Sequence, residues 1–189
     1  MIYLASASPR RQELLRQLGI TFEVIASNLD EVRESQETPE TYVMRVARDK
    51  ARHVAGLLRT RDPAAIVLAA DTEVVLDDDV LGKPRNRTHG LEMLHRLQGR
   101  THEVLTAVVL CRGEQEWSVL SRSRVTFDAM FPADIERYWD SGEPEGKAGG
   151  YAIQGRGAAF IARLEGSYSG VMGLPVFETA QLLRQAGLW

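Results

Sequence analysis

Residues 5–11, Ala-Ser-Ala-Ser-Pro-Arg-Arg, put two hydroxyls and two guanidiniums at one point of the chain. The apolar run Ile2-Tyr3-Leu4-Ala5 precedes them, and the amphipathic run Gln12 to Leu18 follows and stops at Gly19. That pattern predicts strand, turn and helix. Ser8 falls at the N-cap and Pro9 at the first helical position, where a missing N–H costs nothing. Arg10 and Arg11 then occupy the first turn, an unfavourable place for cations because the macrodipole is already positive there. Beside free backbone N–H groups and the hydroxyls of Ser6 and Ser8, however, they make a receptor for an anion, phosphate above all. The alternative is a capped surface helix with two solvated arginines. No Walker loop occurs in the chain.

Other stretches add chemistry. In Ala69-Ala70-Asp71-Thr72 an apolar strand is expected to end in a carboxylate. Ligands gather at the carboxyl ends of strands, and an Asp there can hold a divalent metal or activate water, although a turn Asp is also ordinary. In Gly82-Lys83-Pro84 the proline favours an extended Lys83, which reads as a phosphate ligand or a solvated loop lysine. Residues 146–157 carry glycines at 146, 149, 150, 155 and 157 around Lys147, Tyr151 and Gln154. Such backbone freedom lets N–H groups turn toward an anion or a base edge, and Gln154 offers both a donor and an acceptor. A flexible loop is the alternative, but Tyr151, Ile153 and Phe160 argue for ordered packing. Gly166 to Pro175 reads as a turn with Pro175 opening the last helix. Asp30-Glu31 follow a strand-like run where carboxylates could meet a metal, and Lys50 lies in Arg48-Asp49-Lys50-Ala51-Arg52. Taken in isolation, each of these belongs to a solvated face.

The elements that must position these groups follow from periodicity. Strand-like runs span 2–5, 22–26, 65–70, 73–76, 102–111, 116–127 and 158–164; helix-like runs span 9–18, 39–59, 89–97, 132–140 and 175–185. Thr38-Pro39 repeats the cap of Ser8-Pro9. Asp77-Asp78-Asp79 reads as a solvated hairpin tip, since it lacks the spacing of a calcium loop. Runs 104–110 and 117–127 read as a long antiparallel hairpin. The mixture predicts an α/β protein whose mixed sheet is flanked by helices. The histidines at 53, 89, 95 and 102 lack zinc-site spacing and read as surface or satisfied residues, and Cys111 as a small core residue.

The chain has 189 residues, 44% of them hydrophobic, enough for one α/β domain. A net charge of −3 excludes a general nucleic-acid footprint but not a local basic cluster for a small anion. No segment has the length of a membrane span and no secretory leader is evident, and a lone cysteine suits a reducing cytoplasm.

In order, Ser6-Ala7-Ser8-Pro9-Arg10-Arg11, Asp30-Glu31, Arg48-Asp49-Lys50-Ala51, Ala70-Asp71-Thr72, Gly82-Lys83-Pro84, residues 147–155 and Gly173-Leu174-Pro175 resemble the Maf family, the septum-formation-inhibitor-like nucleoside triphosphate pyrophosphatases. The resemblance implies a cytoplasmic enzyme that cleaves a nucleoside triphosphate to the monophosphate and pyrophosphate, a house-cleaning activity with a link to cell-division arrest. It implies a divalent cation (Mg, Mn or Co), no nucleic-acid or membrane partner, and a homodimer as a frequent assembly. It further implies one two-lobed domain over residues 1–189, similar to inosine triphosphatase-like folds. The family's catalytic Asp falls on Asp71, and its phosphate-binding residues on Ser6, Ser8 and Arg11. Its acidic and basic cleft residues fall on Glu31, Lys50, Lys83 and Lys147, the three lysines as expected phosphate ligands and Glu31 and Asp71 as expected metal ligands. Its specificity positions fall on Arg10, Thr72 and Gln154, a combination similar to the branch acting on dTTP and UTP. Asp71 is left as base, ligand or both. Two rival readings use the same residues: a non-catalytic nucleotide-binding regulator, which needs no Asp71, and the same chemistry on a modified base.

Overall fold

Strand β1 (Ile2–Leu4) lies between β2 (Phe22–Val24) and β3 (Ile66–Leu76), parallel to both. From β3 the sheet continues antiparallel through β5 (Thr101–Arg112), β6 (Gln115–Phe127) and β7 (Ile161–Glu165), while β4 (Asp79–Leu81) folds back on the end of β3. A computed structural model describes residues 1–189, and its seven strands form this one mixed sheet. Helices α1 (Pro9–Gln17), α2 (Pro39–Leu58), α3 (Arg87–Leu97), α4 (Pro132–Trp139), α5 (Tyr168–Met172) and α6 (Val176–Gln185) flank it, as the mixed α/β pattern predicts. None of the helices is long and apolar enough to cross a membrane.

Local chemistry sets the element ends. Ser8 Oγ accepts from the Arg11 N–H at 3.5 Å, and Thr38 Oγ1 accepts from the Thr41 N–H at 3.3 Å. Each cap, with a proline inside it, satisfies a donor that the helix cannot and contributes about 1 kcal/mol. Asn86 caps α3 through the His89 N–H at 2.9 Å, so that helix starts two residues before the apolar pattern suggests. Asp77 and Asp78 join β3 to β4 with φ of 52° and 67°. Two positive φ angles in succession give a tight hairpin turn, which Asp tolerates. Asp77 and Asp79 pair outward with Arg100 and Arg96, both at 2.7 Å, a solvated tip as expected.

Several expectations need correction. β3 does not stop at Ala70; it runs through Asp71 and Thr72 to Leu76, because β5 pairs with it without a break from Ile66 to Val75. A carboxylate interrupts an apolar run without ending a strand whose ladder is satisfied. β7 begins at Ile161, after a 3₁₀ turn over Arg156–Phe160. The Gly/Ser stretch before α6 contains the short helix α5, capped by Ser167, and Pro175 sits at the cap of α6 rather than inside it.

Core packing falls into three clusters. On one face, α2 covers Val67 and Ala69 of β3; on the other, α1 and α6 cover Ile66, Leu68 and Ala70. Further along β3, Val74 and Leu76 enter a separate core with α3 and α4. Asp71, Thr72 and Glu73 fall at the junction of the cores. Along the free edge of β3, β1 pairs with Ile66–Leu68 and β4 with Val74–Leu76, so the stretch between them opens into a cleft.

His102 is neither on the surface nor fully satisfied. It is 2% exposed, its Nε2 lies 2.8 Å from the Tyr151 hydroxyl, and its Nδ1 has no partner. Burial lowers its pKa from 6.5 to about 4. The unfolded chain therefore binds the extra proton first, so stability is full above about pH 6.5 and falls as pH drops toward about 4. His102→Gln should flatten that part of the stability–pH curve in urea titrations; an unchanged slope would place the acid sensitivity elsewhere.

Candidate active site

The start of α1 meets the cleft through Arg11. Its Nε donates to the Gly173 carbonyl at 2.8 Å, Nη1 to Ser6 Oγ at 3.3 Å and Nη2 to Thr72 Oγ1 at 3.1 Å. A guanidinium has five N–H donors, so two remain for a ligand. Ser6 Oγ also accepts from the Ser8 N–H at 3.3 Å. Both hydroxyls therefore act as acceptors toward the protein and keep an O–H to offer an anion. Burial lowers the Arg11 pKa, opposed by Asp71, Glu31 and Glu73 across the cleft. Arg10 is half-buried and donates to the Met172 carbonyl at 3.2 Å.

Asp71 and Glu73, two apart on β3, share the face covered by α2. There Lys50 bridges two acids: its Nζ is 2.7 Å from Asp71 Oδ1 and 2.5 Å from Glu31 Oε1. The expectation of a solvated Lys50 is wrong, since it is 6% exposed. It continues the buried stripe Val43, Val46, Ala47, Ala51 and Val54 of α2, which carries its stem into the core and its ammonium to the acids. Burial pushes the Glu31 carboxyl up, but Lys50, Lys83 and Arg11 together hold it below the usual carboxylate range. Glu73 went unnoticed in the sequence. It is 5% exposed, and burial, then the charges of Asp71 and Glu31, push its pKa up to about 8. Its position two residues from Asp71 on one strand was the available signal, hidden by the expected break in the strand.

The opposite wall is the segment after α4. Lys147 Nζ donates to the Glu143 carbonyl at 2.5 Å, and its pKa is lowered by burial and by Arg10. The Glu143 carboxylate accepts from the Tyr138 hydroxyl and the Arg156 N–H, both at 2.8 Å, and from the Gly157 N–H at 3.0 Å. A Cβ on Gly155 would lie 2.1 Å from Glu143 Oε2, which explains a glycine there. Glu143, also unread from sequence, thus fixes the turn that carries Gln154, whose own side chain is exposed at the cleft rim. Glu143→Ala should speed amide hydrogen exchange at Arg156 and Gly157 while leaving the β5–β6 amides unchanged; equal exchange in both proteins would assign the turn to other contacts.

Ser6, Ser8, Arg10, Arg11, Glu31, Lys50, Asp71, Thr72, Lys83, Lys147 and Gln154 all line one cleft of about 1110 Å³, whereas Asp30 is not part of its lining. They differ in how firmly they are held: Lys83 is 63% exposed at the rim, with its Nζ 3.6 Å from Glu31 Oε2, whereas Asp71 and Lys50 are buried. Carboxylate oxygens of Glu31, Asp71 and Glu73 lie within 4.8 Å of one another. Hard oxygen donors at that spacing fit Mg²⁺ or Mn²⁺. The fit is supported by Asp71 Oδ2 and Glu73 Oε2, both buried with no hydrogen-bond partner. The arrangement can bind a polyanion along its cationic wall and hold a cation or accept a proton at its acidic floor.

Comparison with known proteins gives a consistent picture. The family model described as Maf-like protein matches residues 1–186. A protein of Methylococcus capsulatus named dTTP/UTP pyrophosphatase is 54% identical over 187 residues, covering 99% of this chain and 91% of that protein. Proteins of the same name from Alkalilimnicola ehrlichii and Xanthomonas oryzae pv. oryzae are 55% and 53% identical, over 96% and 99% of this chain and 91% and 99% of their own. Among solved structures, the Staphylococcus aureus Ham1 protein superposes with a TM-score of 0.50 at 11% identity, covering 98% of each chain. That likeness is one of fold, and it accords with the expected inosine triphosphatase-like architecture.

Proposed function

From the chain's membership of the Maf-like protein family, we propose that it is a nucleoside triphosphate pyrophosphatase acting on dTTP and UTP. The reading carries with it one catalytic domain over residues 1–189, a cytoplasmic setting and a homodimer.

Asp71 carries the chemical part of the reading. Its Oδ1 is pinned by Lys50 at 2.7 Å, while its Oδ2 is buried and unpartnered in the cleft. Water attacks the α-phosphorus, and the bond from that phosphorus to the α–β bridging oxygen breaks. Pyrophosphate leaves with the electron pair, and the water's proton passes to Asp71 Oδ2. Ser6, Ser8 and Arg11 hold phosphate oxygens from one side, and Lys83 and Lys147 from the other, meeting the charge that grows on the leaving group. Lys50 orients Asp71 through two of its N–H donors, shared with Glu31, and has one left for a phosphate oxygen. Asp71 and Glu31 border the place for a divalent cation, which supplies Lewis-acid neutralisation of phosphate oxygens when bound. A carboxylate oxygen has two lone pairs, so Oδ2 can face both a cation and the water.

Base choice falls to Arg10, Thr72 and Gln154. A pyrimidine edge presents carbonyl acceptors and an N–H donor, and Gln154 can answer both. The test is pyrophosphate release from dTTP, UTP, CTP, GTP and ATP, with and without metal, by the natural protein and by Gln154→Ala. The natural protein should release pyrophosphate from dTTP and UTP with metal only; tight nucleotide binding without release would mark a regulator instead. Gln154→Ala should narrow the gap between UTP and the purines, mainly by slowing UTP, because a site built for hydrogen bonds discriminates through its own unpaired groups. An equal loss on all five would assign Gln154 to structure or phosphate.

A further inference from the structure

Lysines already claim the oxygens of Glu31 and one oxygen of Asp71. Glu31 Oε1 is 2.5 Å from Lys50 Nζ and Glu31 Oε2 is 3.6 Å from Lys83 Nζ, while Asp71 Oδ1 is 2.7 Å from Lys50 Nζ. Of the carboxylate oxygens left over, Asp71 Oδ2 and Glu73 Oε2 are buried and without a partner. Asp71 is 3% exposed and Glu73 5%, whereas the Glu31 side chain is 26% exposed. Two residues apart on β3, they point from the same face, and one carboxylate oxygen of each falls within 4.8 Å of the other and of one from Glu31.

We propose that Glu73, together with Asp71, holds the divalent cation of this site, and that Glu31 serves chiefly to anchor Lys50. The physical basis is the high cost of leaving buried carboxylate oxygens unpaired, which a hard cation with oxygen preference removes for both at once. Lys50 Nζ pairs with Asp71 and Glu31 and makes no ion pair with Glu73. The division of labour places the cation on the β3 side of the acid cluster, beside Asp71 Oδ2. This inference rests on the proposed metal-dependent pyrophosphatase reading for its purpose but not for its measurement.

The measurement is Mn²⁺ binding to the metal-stripped full chain, followed by electron paramagnetic resonance, without nucleotide. Glu73→Gln should weaken Mn²⁺ by about ten-fold or more, and Glu31→Gln by clearly less. Glu73→Asp, which keeps the charge but withdraws it by one methylene, should retain Mn²⁺ more tightly than Glu73→Gln. Melting in the presence of a chelator checks that each variant folds, and the rise in melting temperature on adding Mn²⁺ should shrink in Glu73→Gln. Mn²⁺ affinity for Glu73→Gln within about two-fold of the natural protein, or a larger loss for Glu31→Gln, overturns the proposal. Should the natural protein fail to release pyrophosphate while Glu73→Gln still loses Mn²⁺, the pyrophosphatase reading falls and the cation site stands.

Discussion

Asp71→Asn is expected to fold normally and to lose about 10²–10⁴-fold in kcat for pyrophosphate release, the range for a missing general base. The reason it folds is not the one suggested by the sequence, in which Asp71 is a strand-end residue outside the core. It is a mid-strand residue, 3% exposed. Asn is nearly isosteric, and its amide oxygen can still accept from Lys50 in place of Asp71 Oδ1. The variant also removes one negative charge from three carboxylates that crowd within 4.8 Å. What it lacks is the anion at Oδ2, where a proton must land. Turnover near that of the natural protein, in a sample with an intact melting transition, would remove Asp71 from the chemistry.

Lys50→Met should destabilise the fold by about 3–5 kcal/mol, the usual consequence of stripping one partner from a buried ion pair. Methionine keeps the length and apolar stem of lysine, so little cavity forms and the effect isolates the charge. Asp71, with a side chain 4% exposed, and Glu31 would then face each other and Glu73 without the ammonium that bridges them. Urea unfolding at constant pH measures the difference. In the double variant Lys50→Met/Asp71→Asn part of the loss should return, because one of the stranded charges is gone. A single-variant loss below about 1 kcal/mol, as for an exposed pair, would mean that water reaches the acids and that Lys50 is not their structural partner.

The sequence was most legible where geometry is local. The caps at Ser8-Pro9 and Thr38-Pro39, the Asp77–Asp79 tip and the long β5–β6 hairpin each follow from neighbouring residues, and each stands where expected. It was least legible where polar groups are buried by remote partners. Asp71-Thr72 reads as a break because polar residues seldom fill a central strand, yet both have a tertiary reason to be there. Thr72 accepts from Arg11, 61 residues away, and Asp71 meets Lys50 on α2. Lys50 itself hides in a run of charged residues, and only its register with Val43, Ala47 and Val54 marks it as inward-facing. Glu143 carries no local signature, since its meaning lies in Arg156 and Gly157, whose N–H groups it receives. The ordered set of motifs nonetheless pointed to the right family, because the residues that line the cleft come from its motifs.

The grip of Arg11 on the Gly173 carbonyl spans 162 residues of sequence. During synthesis, then, the arginine leaves the ribosome 162 residues ahead of the group that aims it. A nascent or prematurely terminated polypeptide carries the arginine, the serines and even the buried acids, but not the carbonyl that turns the guanidinium toward Ser6 and Thr72. The anion receptor therefore matures only after Gly173 has been made. A chain that stops short of Gly173 therefore lacks the contact that aims Arg11.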